Sequence, residues 1–159
     1  MPRHPFVPTD FSVPETLKTD EFVLRMLTVN DVVKDFDAVI TSVEHCQTIW
    51  GGKWPHGLTL EQNLIDLGWH QKEFQTRRSF AYTVVDPEDK MVLGCVYINP
   101  TKKPGFDAEV FLWIRQSHLA DGMETRLYDA VRAWVEEVWP FESAAYPGRS
   151  ISLADWNAL

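Results

Sequence analysis

The stretch from Asp107 to Val138 constrains the fold most, because its hydrophobic period changes once, from that of a strand to that of a helix. Asp107–Arg115 is rich in β-branched and aromatic residues and follows the breaker pair Pro104-Gly105, which predicts a strand. After Gln116–Ala120, the residues Met123, Leu127, Val131, Trp134 and Val138 recur at steps of three or four. That spacing puts them on one helical face and predicts a long amphipathic helix with Asp121 as its N-cap. A strand feeding a helix through a short loop leaves the first helical amides unpaired near the strand's carboxyl end, where phosphate-bearing ligands bind. What those amides hold therefore decides the function.

The elements before and after this stretch follow from local chemistry. Glu21–Leu27 predicts the first strand, and Thr28 with Asp31 makes a capping box for a helix striped by Val32, Phe36, Ile40 and Val43 that ends near His45-Cys46. Thr59 and Gln62 make a second capping box, opening a helix striped by Leu60, Leu64, Leu67 and Phe74 as far as Arg77. Between them, Trp50–Gly57 is a loop rich in glycine and aromatics, whose Trp50 and Trp54 serve either as pocket walls or as a cover over one edge of the core. Phe80–Val85 and Met91–Asn99 predict a hairpin turned by Asp86–Lys90, and Phe141–Tyr146 predicts a last strand stopped by Pro147-Gly148. Residues 1–19 carry Pro2, Pro5, Pro8 and Pro14, a spacing that admits neither a helix nor a central strand and predicts an extended arm. Residues 20–159 then form one α+β domain with a largely antiparallel sheet and helices on both faces.

Composition narrows the partners. A chain of 159 residues is long enough to bury a core without disulfides or a metal. A net charge of -8 argues against nucleic acid and against an anionic membrane, both of which need basic patches. No run of apolar residues is long enough to span a bilayer, and no secretion signal begins the chain. The widely separated Cys46 and Cys95 fit a reducing cytoplasm. The five histidines show no metal-ligand spacing, so no metal site is expected and a metal-dependent hydrolase is set aside.

At this point the sequence resembles the GNAT superfamily of acyl-CoA-dependent N-acetyltransferases, over about Glu21 to Tyr146. The resemblance rests on the first strand Phe22–Leu27 with Asp31 beyond, the hairpin ending Val92–Tyr97, and the strand Ala108–Ile114 leading into the long helix. It implies acetyl-CoA as co-substrate, with the pantetheine arm on the backbone of Leu112, Trp113, Ile114 and Arg115. The pyrophosphate would then lie on the loop Leu119-Ala120-Asp121-Gly122-Met123-Glu124. It also implies Glu109 as general base and Tyr146 as the acid for the leaving thiolate, although Glu109 also reads as a solvated outward residue. Trp50, Trp54, Trp69, His70 and Glu73 are the candidate substrate pocket, suited by aromatic walls and an acidic field to a primary amine of a small molecule or peptide.

The chain departs from the family pattern in two places. Leu119 stands where the loop has a basic or amide residue and Glu124 where it has a small one, so Asp121 and Glu124 are expected to cap the helix's own amides and repel a diphosphate. Arg115, Arg126 and Gln116 are the residues able to compensate. The second departure is that the helix and two strands that follow in the family are missing, so the rest of the acceptor pocket is expected from the amino-terminal arm or a partner subunit, or not at all. The sheet edge this leaves suits a homodimer. The competing reading is a catalytically inactive GNAT-like module that binds a ligand or partner but no longer CoA.

Overall fold

The structure, a computed structural model, describes residues 4–159; the first residues of the expected arm lie outside the described residues. Six strands form one sheet in sequence order: β1 (Thr16–Lys18), β2 (Val23–Met26), β3 (Phe80–Val85), β4 (Val92–Pro100), β5 (Ala108–Ile114) and β6 (Ala144–Ala145). Neighbours are antiparallel except β5 and β6, which are parallel. Helices α1 (Val32–Ile40), α2 (Val43–Trp50) and α3 (Leu60–Gln75) lie between β2 and β3, α4 (Met123–Val138) between β5 and β6, and α5 (Leu153–Asn157) near the end. This is the mixed, mainly antiparallel α+β sheet expected.

Strand alternation divides the core into two layers. Val110, Leu112 and Ile114 of β5 pack with Met123, Leu127, Val131 and Trp134 of α4. Between them Trp113 turns to the other face, against Ala38 and Val39 of α1 and Cys46 of α2. Trp113, Tyr82 and Phe80 are wholly buried, and each removes a large ring from water for about 1.5–3 kcal/mol. Gly94 permits the close pairing of β4 with β5, since a Cβ there would lie 1.9 Å from the Trp113 carbonyl oxygen.

Four expectations change. The amino-terminal arm is not wholly irregular: its end forms β1, an edge strand, where proline-bounded segments are tolerated. The arm docks on the α4 face rather than at an acceptor pocket, with Phe6 stacked on Phe141 at 5.1 Å and Phe11 tilted on Trp139 at 5.4 Å. The expected single helix through Val43 is broken at Thr41-Ser42, because the buried Ser42 hydroxyl accepts the Gln116 N–H at 3.0 Å and pins α2 to the turn after β5. On α3, Leu60 and Leu64 are exposed; the inward face runs through Asn63, Leu67 and Phe74, because Asn63 donates to the buried Asp35 carboxylate at 2.9 Å.

Candidate functional site

β5 and β6 pair only over Ala108 with Ala144 and Glu109 with Ala145, and then part. Beyond that point the chain turns through Pro147-Gly148 and folds back, so its tail forms the outer wall of a cleft opened between the strands. The cleft has a volume of about 180 Å³ and is lined by His45, Thr48 and Ile49 of α2, Phe111 and Leu112 of β5, Glu124 of α4, and Pro147, Gly148, Arg149 and Leu153 of the tail. This outer wall thus comes from the chain's own last residues, not from the amino-terminal arm. Lys103 holds this tail in place, donating to the Trp156 carbonyl at 2.7 Å and lying 4.9 Å over the Trp156 ring.

Glu124 organises the cleft. Its carboxylate accepts the Ile114 N–H at 2.9 Å, the Arg149 guanidinium at 2.7 Å and the His45 ring Nε2 at 2.5 Å. A carboxylate accepts only, so Nε2 donates to it, and whenever the ring is neutral Nδ1 is the nitrogen without a proton. The expected capping pair is therefore half correct. Asp121 Oδ1 accepts the Met123 N–H at 3.0 Å, but the N-cap position itself is Gly122, at φ +80, and Glu124 turns away to the strand. The reason is charge: one guanidinium, one imidazole and one strand amide outweigh a single N-cap amide. The amides of Glu124 and Thr125 have no partner among the described residues.

The residues expected to compensate are committed elsewhere. Arg115 is buried and donates to the Val92 carbonyl, Asp37 and Thr41. Arg126 forks onto Glu21 and donates to the Asp121 carbonyl. Gln116 accepts the His45 backbone N–H. Leu119 packs against the core, as do the side chains of Leu112, Trp113, Ile114 and Met123.

Glu109 and Tyr146 are not brought together. Glu109 shares a face with Trp113, half-buried, with its carboxyl raised by desolvation and partly restored by Lys103. Tyr146 lies on the α4 face, edge-on to Tyr128 at 5.3 Å, its hydroxyl without a partner among the described residues and its ionisation opposed by burial. It lines a separate cavity with Arg132, Glu136 and Ser150.

The aromatic pocket does assemble. Trp50 lies 5.2 Å from Trp54, 5.8 Å from Tyr97 and 6.2 Å from Phe111, all centroid to centroid, and so bridges Phe111 of the cleft to Trp54 and Tyr97, which line a second, smaller cavity. His70 packs 5.5 Å from Tyr97, with Trp69 edge-on behind it, and burial lowers the His70 imidazole to about 4. Trp69 is mostly exposed, and Glu73 lines none of the cavities described above. Sequence reasoning missed His45 and Arg149; the one available signal was that His45 stands at the expected end of a capped helix, just ahead of the aromatic loop Trp50–Gly57, and nothing local marked Arg149.

No family model matches the chain, and no curated protein matches it in sequence. Solved structures do. A candidate ribosomal-protein-serine acetyltransferase from Vibrio cholerae superposes with a TM-score of 0.60 at 13% identity, over 75% of this chain and 65% of that one. Ribosomal-protein-S5-alanine acetyltransferase from Vibrio fischeri gives 0.62 at 17% identity, over 76% of this chain and 66% of that one. RimL, a ribosomal L7/L12 α-N-protein acetyltransferase in complex with coenzyme A, gives 0.59 at 15% identity, over 76% and 67%. This chain thus spans about two thirds of the length of each, a little less for the two from Vibrio. The shared architecture is the GNAT acetyltransferase fold.

Proposed function

We propose that this chain is an N-acetyltransferase that takes acetyl-CoA as donor and a primary amine as acceptor, working at the parting of β5 and β6. The observation that carries this reading is the parting itself, with a cleft of about 180 Å³ at the open edge of β5 and an aromatic wall beside it. A pantetheine arm is an extended chain of amides and fits an unpaired strand edge. The Leu112 and Ile114 amides point away from β4 by strand alternation, and Leu112 is the one not already taken by Glu124. The likeness to RimL, solved in complex with coenzyme A, supports an acyl-CoA as the donor.

The diphosphate fits less well. The free amides of Glu124 and Thr125 suit it, but the carboxylates of Asp121 and Glu124 flank them. Among the described residues Arg149 is the one arginine or lysine lining the cleft, at present on Glu124. Acetyl-CoA brings the thioester; the chain supplies the strand edge, the amides and the proton acceptor. His45 holds that last role, because Glu124 is committed to three donors and fixes the His45 ring with Nδ1 free to take a proton from the acceptor ammonium. Cytoplasmic residence suits two buried, unpaired cysteines, and no described helix is long and apolar enough to cross a membrane.

Calorimetric titration with acetyl-CoA tests the reading. Binding near micromolar that weakens when Gly122 is replaced by a bulky residue is the expected result; no heat up to about 1 mM refutes it and leaves the inactive, CoA-free module.

A further inference from the structure

Behind Trp50 lies a cavity of about 90 Å³ lined by Leu27, Asp35, Val39, Trp54, Asn63, Asp66, Leu67, His70 and Tyr97. Two features set it apart from ordinary core. Asp35 is 2% exposed, and the groups that hold its carboxylate are neutral: Asn63 Nδ2 at 2.9 Å and Cys95 Sγ at 3.6 Å. No lysine or arginine among the described residues lines the space, and the other carboxylate there is Asp66, also an acid. A carboxylate taken out of water without a counter-cation is unfavourable, and its environment raises rather than lowers its proton affinity. The second feature is the wall. Trp54 and Tyr97 are joined through Trp50, and His70 packs on Tyr97, so the acid shares its cavity with three aromatic side chains. Aromatic faces and a carboxylate around a small space are what an organic ammonium needs. The volume holds an ammonium head and a carbon or two, since a water in liquid takes about 30 Å³.

The cavity is one strand away from the cleft. Tyr97 and Phe111 are partners across β4 and β5, and cross-strand partners stand about 5 Å apart on the same face. Trp50 touches both rings. We infer that the acceptor is a dication of the aliphatic diamine or lysine-like class. One ammonium is seated between Asp35, Asp66 and the Trp54, His70 and Tyr97 rings, while the other end reaches the cleft as the amine to be acylated. The seat for the first ammonium stands on this cavity's own geometry; the direction of the second end rests on the function proposed above.

The test is calorimetry on the full chain without any acyl donor, titrating cadaverine, a five-carbon diamine, and the neutral diol of the same length. Cadaverine is expected to bind at least tenfold more tightly than the diol. Asp35→Asn keeps the shape and the Asn63 partner and is expected to weaken cadaverine binding tenfold or more, with acetyl-CoA affinity unchanged. Trp54→Leu, at a half-buried position, is expected to weaken cadaverine binding several-fold. Equal binding of diamine and diol overturns the inference, as does wild-type cadaverine affinity in folded Asp35→Asn protein. Because no donor is present, failure here leaves the acetyl-CoA titration standing, and failure of that titration leaves the ammonium seat standing.

Discussion

Replacing Asp35 with Asn is expected to stabilise the protein at neutral pH, by an amount fixed by the cost of burying the charge. Desolvation lifts the Asp35 carboxyl from its ordinary 3.8 to about 6, against smaller opposing contributions from Asn63 and Cys95; the Asp31 and Asp66 charges add to the rise. Each tenfold change in proton affinity between folded and unfolded chains is worth about 1.4 kcal/mol, so the ionised Asp35 costs the native state about 3 kcal/mol above pH 6. The sign follows from the raised value: the folded chain holds its proton more tightly, so stability is highest below pH 3.8 and is lost as pH rises through 6. Asparagine has nothing to ionise. The difference between variant and wild type should therefore be near zero at acid pH and grow to about 3 kcal/mol at pH 7. At about 2–4 °C per kcal/mol for a chain of this size, that is a rise in Tm of about 6–12 °C. Urea unfolding of both proteins from pH 4 to 8 measures it. His70, lowered by burial, titrates in the same range with the opposite sign, but it is present in both proteins and cancels from the difference. A difference that does not change with pH, or a variant less stable at pH 7, would refute the reasoning.

Glu124→Gln should lose its charge-assisted bonds to Arg149 and His45 in a mostly buried network, and denaturant titration should read a destabilisation of about 2–3 kcal/mol. The same change removes a negative charge beside the diphosphate position, so acetyl-CoA should bind more tightly, by about 1 kcal/mol or more in calorimetry. His45→Ala should lower kcat for acetyl transfer by about 10²–10⁴ with a far smaller change in donor affinity, as read by steady-state kinetics beside calorimetry. Gly94→Ala drives a Cβ into the Trp113 carbonyl and should cost about 3 kcal/mol or more, or yield insoluble protein on expression.

Local chemistry was legible. Both capping boxes form as read, because a threonine hydroxyl and an acid or amide three residues on satisfy amides within their own turn. The hairpin and the strand before α4 hold for the same reason, since alternation and turn residues act over a few positions. What sequence missed depends on groups far apart in the chain. α3 is rotated because Asn63 is drawn in by Asp35, 28 positions earlier. Glu124 leaves its helix end for Arg149 and His45, which lie 25 and 79 positions away. The cleft's outer wall was invisible because nothing in Pro147–Leu159 signals that it folds back; the pairing of Tyr146 with Glu109 came from the resemblance alone, and Tyr146 follows a strand of two residues, too short for alternation to fix which face its ring takes.

The division of the core into two layers also divides the tryptophans. Trp134 and Trp139 stand 5.5 Å apart in the α4 layer, Trp50, Trp54, Trp69 and Trp113 lie on the α1–α3 side, and Trp156 anchors the tail. Indole fluorescence in this molecule is therefore positionally encoded. A quencher or a substitution confined to one group reports on the cleft side, the arm side or the tail separately, so that the order in which the three let go can be followed by light alone.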